Sequence, residues 1–106
     1  MTYDYPQFTT LADPTRRAVF ELVAERPRSV AEITRALTVT QSAVSQHLKV
    51  LREAQLVRAV PKGASNIYHI DPDGLERLRA ELDRFWGKTL TAYKAAVENT
   101  PKEEPQ

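Results

Sequence analysis

Six side chains between positions 41 and 52 could do chemistry together: Gln41, Ser42, Ser45, Gln46, Lys49 and Arg52. A glutamine amide donates and accepts at once and can pair with the edge of an adenine. A serine hydroxyl serves a base or a phosphate, and Lys and Arg neutralise phosphates or reach a guanine edge. None of the six is acidic. Between them fall Val44, Leu48 and Leu51, at spacings of four and three, so the stretch predicts one helix with an apolar face and a polar, basic face. Thr40 predicts its N-cap. In isolation an ordinary solvated amphipathic helix would be the better reading. The elements on either side favour a helix that enters the major groove of DNA.

Other chemistries find no support. The chain has no cysteine, which removes disulfides and thiolate metal sites together. His47 and His69 are the two imidazoles, one in the expected reading helix and one in an expected strand, and neither is placed to work with a carboxylate as a nucleophile's base. His47 sits at the edge of the apolar stripe and is expected to brace the helix rather than touch a phosphate. Glu98, Glu103 and Glu104 read as a solvated tail, and Gly63 and Gly74 make no phosphate-binding loop. The expectation is a non-enzyme with no metal site and no cofactor.

The elements that must position the six side chains are legible on both sides. Residues 1–7 read as an N-terminal arm, with Tyr3, Tyr5 and Phe8 packed on the core or on a partner. Phe8–Ala12 predicts a short helix, and Asp13-Pro14 the capped start of the next, with Ala18, Val19, Leu22 and Val23 inside. Arg16 and Arg17 are either solvated or aimed at a DNA backbone. Ser29 and Glu32 form a capping-box pattern ahead of a helix over Val30–Leu37. This helix, a short break and the Thr40 helix make a helix-turn-helix pattern. Two strands follow, Leu56–Val60 and Ser65–Ile70, joined by Pro61-Lys62-Gly63-Ala64. Alternation groups Val57, Ala59 and Ile67, with His69 a weaker member, on one side and Arg58, Asn66 and Tyr68 on the other. Tyr68 reads equally as packing or as a backbone contact. A lone hairpin is marginal, so it must lie on the helices. As a wing it would set Lys62, Ser65 and Asn66 near a minor groove.

Asp71-Pro72 opens a long helix to about Glu98, striped by Leu75, Leu78, Leu82, Phe85, Trp86, Leu90, Tyr93 and Val97. That is more apolar surface than a terminal helix on a small domain can bury. A dimer interface would use it, with Tyr5, Phe8 and Leu11 beside Leu78, Leu82, Phe85, Trp86, Leu90 and Tyr93. The domain reads as 8–98, followed by a flexible tail over 99–106.

At 106 residues, 27% charged and 42% apolar, the chain is one ordinary soluble domain. Without a membrane-length run or a signal-like N-terminus, it is expected in the cytoplasm. Net charge is +1, but residues 1–69 hold nine basic and six acidic side chains (+3), and residues 70–106 hold six and eight (−2). This is a basic body with a mildly acidic end.

Ser42-Ala-Val-Ser-Gln-His-Leu-Lys-Val-Leu-Arg-Glu-Ala-Gln-Leu-Val57 resembles the recognition-helix signature of the ArsR/SmtB family of bacterial repressors. Leu11-Ala-Asp-Pro-Thr-Arg-Arg17 is similar to its helix-opening segment, Lys62-Gly63 with Tyr68 to its wing, and Asp71-Pro72 to the start of its last helix. Phe85-Trp86 and Tyr93 further resemble the SdpR-like autorepressor branch. The resemblance covers about residues 8–97. It implies a mainly α winged helix-turn-helix fold with a small β-hairpin, dimerising through its N- and C-terminal helices and binding palindromic operators. Metal sensors of the family carry a cysteine pair in the stretch matching Ile33–Val39, or histidines in the last helix. Neither is present here. The family often has Gly at the position of Gln55, where a left-handed cap costs a non-glycine residue about 1 kcal/mol more.

The expected function is sequence-specific regulation of transcription by a homodimeric repressor that reads double-stranded DNA with helix 41–54 and wing 58–68. Control would come from expression level or from an unidentified small-molecule or protein effector. The competing reading is a winged-helix protein-interaction module that uses its hydrophobic last helix.

Overall fold

The computed structural model describes residues 4–99. Residues 1–3 of the expected arm and 100–106 of the expected tail lie outside them, and Asn99 closes the last helix instead of opening a tail. The order is α1 (Pro6–Thr10), α2 (Pro14–Glu25), β1 (Arg28–Ser29), α3 (Val30–Ala36), α4 (Gln41–Glu53), β2 (Val57–Lys62), β3 (Ser65–Ile70) and α5 (Pro72–Asn99).

Each cap expected of the three central helices is made. Asp13 Oδ1 accepts from the Arg16 N–H at 2.9 Å and Thr40 Oγ1 from the Ala43 N–H at 3.1 Å. Ser29 Oγ accepts from the Glu32 N–H at 3.2 Å while Glu32 Oε1 accepts from the Ser29 N–H at 3.1 Å, completing the capping box. The Arg16 amide is the main cause that holds the Asp13 carboxyl below its ordinary range. For Glu32 the Ser29 amide comes first and the Arg26 guanidinium, 2.9 Å away, second. Both groups are depressed on folding, so their contribution to stability is complete above the ordinary carboxylate range and fades as pH falls through the lowered values.

Val19, Phe20 and Val23 of α2, Ile33 of α3 and Val44, Leu48 and Leu51 of α4 meet in one core, closed by Leu56, Val57 and Tyr68. The sheet is antiparallel in the order β1-β3-β2. Its register pairs Val57 with Ile70 and Ala59 with Tyr68. Directly opposed residues share a face, so Tyr68 lies with Ala59 and Val57 on the core side, and Ile67 and His69 lie with Val60 and Arg58 on the outer side. This corrects the alternation read from sequence, which had exchanged Tyr68 and Ile67. The alternation left open which side packs; the pairing with β2 puts the Tyr68 ring on the core side.

Several boundaries also differ: α1 ends at Thr10 rather than Ala12, and β2 starts at Val57 rather than Leu56. α1 begins at Pro6, two residues before Phe8, because a distant carboxylate from α5 satisfies its first amides. α3 stops at Ala36, one residue short of Leu37. β2 runs through Pro61 to Lys62, leaving Gly63 and Ala64 as the turn, with Gly63 at φ 61°.

The exit of α4 is a left-handed cap on a non-glycine residue. Gln55 has φ 60°, its N–H donates to the Arg52 carbonyl and the Leu56 N–H donates to the Leu51 carbonyl, each at 2.9 Å. Leu51 and Leu56 are both buried, which supplies the apolar contact that accompanies such a cap. Gln55→Gly should therefore stabilise the protein by about 0.5–1 kcal/mol, the left-handed strain relieved less the added entropy of the unfolded chain. The change also removes the exposed bond from Arg77 Nη2 to Gln55 Oε1. Urea unfolding of the two proteins measures the difference, and a less stable glycine variant would show that this side-chain bond outweighs the strain.

Candidate nucleic-acid interface

The polar face of α4 is positioned by its opposite side. Val44, Leu48 and Leu51 are fully buried, so the rotation of the helix about its axis is fixed. Gln41, Ser42, Ser45, Gln46, Lys49 and Arg52 are all exposed. Thirteen residues make a rod of roughly 20 Å, and a major groove about 12 Å wide accepts one.

The wing presents Lys62, Ser65 and Asn66, also exposed. Lys62 faces Ser65 and Pro61 faces Asn66 in the β2–β3 register, so Lys62 and Ser65 share one face of the tip and Asn66 lies on the other. Gln41 shares a cleft with Ser65 and Asn66, which brings the start of α4 to the wing. Lys49 and Arg52 do not line that cleft, being two to three turns farther along α4.

His47 is half-buried on α4. Arg16 and Arg17 each spend one donor on α1: their Nη1 groups donate to the carbonyls of Thr10 at 3.0 Å and Leu11 at 3.3 Å, holding the end of α1.

A second surface runs along α5. Its 28 residues span roughly 42 Å, and the Cα radius of gyration is 19.0 Å against ~13 Å for a compact chain of this length. The far half of the helix projects from the body. Leu82, Phe85, Trp86, Leu90 and Tyr93 are exposed, Trp86 at 49% and Tyr93 at 68%. Tyr5 and Phe8 stand edge-on to Phe85, each with ring centroids 6.2 Å away. Leu11 and Leu78 differ from the interface expected of them. Leu11 belongs to the core of its own subunit and Leu78 packs partly buried against it, because α1 folds back onto the body.

Sequence reasoning missed two residues that hold this surface in place. Glu81, 3% exposed, accepts from the Gln7 N–H through both carboxylate oxygens, at 2.9 and 3.1 Å, and from the Phe8 N–H at 3.0 Å. Arg84 lies over the Tyr5 ring, 5.5 Å from its centroid, and donates to the Asp4 carbonyl at 3.2 Å. A charge inside an apolar stripe, between Leu78 and Leu82, was the available signal for Glu81. Strand β1 was missed as well, since two residues of strand carry no readable period.

A helix-turn-helix of α3 and α4, followed by an antiparallel wing and flanked by two helices with exposed aromatic surface, is a winged helix-turn-helix. The model of the bacterial regulatory protein family arsR matches residues 13–59. The HTH-type transcriptional regulator Rv2034 of Mycobacterium tuberculosis is 47% identical over 100 residues, covering 92% of this chain and 94% of that protein. The arsenical resistance operon repressor of Bacillus subtilis is 33% identical over 76 residues, 71% of this chain and 72% of that one. A crystal structure of a possible transcriptional regulator for arsenical resistance superposes with a TM-score of 0.74 at 36% identity, over 90% of this chain and 97% of its own. The chain belongs to the arsR family of bacterial regulatory proteins, a family of transcriptional regulators and not of enzymes.

Proposed function

We propose that this transcriptional regulator is a homodimeric repressor. It reads a palindromic operator with α4 in the major groove and rests its wing, residues 58–68, near the flanking minor groove. The observation that carries the reading is the face of α4 on which six polar or basic side chains stand exposed while the opposite face is locked in the core. Gln41, Ser42, Ser45 and Gln46 lie in the first two turns and serve base edges or nearby backbone. Lys49, Arg52 and Lys62 serve phosphates, and Ser65 and Asn66 add polar contacts from the wing.

The dimer brings together Tyr5, Phe8, Leu82, Phe85, Trp86, Leu90 and Tyr93. Aromatic anchors of this kind are enriched at the centres of interfaces. Two subunits then present two reading helices to two half-sites, which matches a palindrome. Among the described residues no helix is long and apolar enough to cross a membrane, and the repressor acts where the DNA lies, in the cytoplasm. Control by expression level, or by a small-molecule or protein effector, fits this chain better than control by a soft metal, since it has no cysteine to act as ligand.

The test is binding to duplex DNA over a range of salt, with genomic fragments selected by the purified dimer as the specific partner. Binding should weaken steeply with salt on any duplex and be tighter on selected fragments. Lys49→Ala should lower the magnitude of the salt slope by about two, one phosphate no longer neutralised by each subunit of the dimer, and weaken all sequences alike. A purified dimer that binds no duplex even at low salt overturns the proposal.

A further inference from the structure

The cleft that joins Gln41 to the wing has a feature that base reading does not use. One of its lining residues is Tyr68, whose side chain is otherwise part of the core and which is 9% exposed. Its position is fixed from both sides, opposite Ala59 in β2 and Arg28 in β1. Among the described residues nothing makes a hydrogen bond with its hydroxyl, which nonetheless keeps access to solvent. A buried tyrosine normally finds its hydroxyl a partner. Here the ring is held rigidly and the donor is left for something outside.

The surroundings fit an anion. Ser65 and Asn66 add side-chain donors, and no carboxylate lines the cleft. Gln41 is the first residue of α4, a helix of thirteen residues. The third amide of that helix, of Ala43, is taken by Thr40 Oγ1. The first two, of Gln41 and Ser42, have no acceptor within the helix and carry its positive end. The volume is about 200 Å³, below the roughly 300–1,000 Å³ of small-molecule pockets.

We propose that this cleft receives one phosphodiester of the DNA backbone, with the Tyr68 hydroxyl among its donors, so that the reading helix and the wing close on a single phosphate. The inference rests on the DNA-binding reading of α4. Tyr68 thereby joins the nine exposed residues as a contact that carries affinity and fixes register without reading sequence.

Tyr68→Phe keeps the ring and removes only the hydroxyl. The probes are a genomic fragment selected by the wild-type dimer and a duplex of random sequence. The variant should bind both about tenfold more weakly, one hydrogen bond fewer in each of two subunits. The salt slope should not change, because no counterion-releasing charge is removed. Equal binding by variant and wild type overturns the phosphate assignment and leaves the DNA reading intact. A loss confined to the selected fragment also overturns it, in favour of a base contact. Failure of the wild type to bind any duplex removes the DNA reading and this inference with it. A scan of single methylphosphonates along the selected fragment gives a readout independent of the variant's stability. Wild type should be weakened at one phosphate per half-site where Tyr68→Phe is insensitive, and identical scans for the two proteins overturn the proposal.

Discussion

Glu81→Ala should detach α1 from α5 and destabilise the protein by about 2–4 kcal/mol, with a weaker dimer as the second effect. The cause lies in the shortness of α1. Five residues cannot sustain a helix alone, and Pro6 has no N–H to satisfy, so the first amides needing acceptors are those of Gln7 and Phe8. Glu81 accepts from both and sits at the positive end of the helix. Alanine would leave these donors without a partner in a site that admits little water. The aromatic edge contacts of Tyr5 and Phe8 with Phe85 would then lose their support. Glu81→Gln, which retains an acceptor of the same shape without the charge, should fall between. Urea unfolding measures the energy, and amide hydrogen exchange at Gln7 and Phe8 localises it. Unchanged protection of those two amides in Glu81→Ala would show that α1 is held by its apolar contacts alone.

Gly74→Ala should be comparably damaging, about 3 kcal/mol, although alanine is the better helix former. A methyl group at position 74 would run into the carbonyl oxygen of Gln55 and come within 2.7 Å of its carbonyl carbon and 3.0 Å of Leu56 Cα. These are backbone atoms of the α4 exit and cannot rotate aside. That exit is also tied to the approach of α5 by the Asp71 N–H, which donates to the Leu56 carbonyl at 3.0 Å. The start of α5 would have to lift, and overpacking of this kind costs about 1–3 kcal/mol or more, against a propensity gain of about 1. Gly87→Ala is the control. It lies off the apolar stripe of α5 with nothing within 4 Å, so only the gain in propensity remains. Thermal unfolding of both variants should move in opposite directions, and a stabilised Gly74→Ala would mean that the first turn of α5 yields easily.

What the sequence revealed and what it hid divide along physical lines. Helices α2, α3 and α4 were legible because their caps are local: Asp13, Ser29 with Glu32, and Thr40 each bond within three residues. The division of α4 into a buried and an exposed face was legible because a period of 3.6 separates Val44, Leu48 and Leu51 from the polar side chains between them. Glu81 was not, since its partners lie more than seventy positions away. Grouping Tyr68 with Arg58 fails because six alternating residues leave two phases open, and only the pairing of Ala59 with Tyr68 across the hairpin settles which one holds. Leu11 reads as available for a partner only until α1 folds back on the body. The requirement for glycine at 74 likewise arises from a backbone carbonyl on another element.

Ser29 belongs to two structures at once. It pairs with Ile67 at the edge of the sheet and caps the helix that packs on α4. Sheet and helix-turn-helix thus share a residue rather than a connecting loop, which ties the angle of the wing to that of the helices. Under the DNA-binding reading, compliance then has to come from the other side. A duplex whose grooves are too wide or too narrow for that angle must itself twist or bend to be held, and stiff sequences resist more than pliant ones.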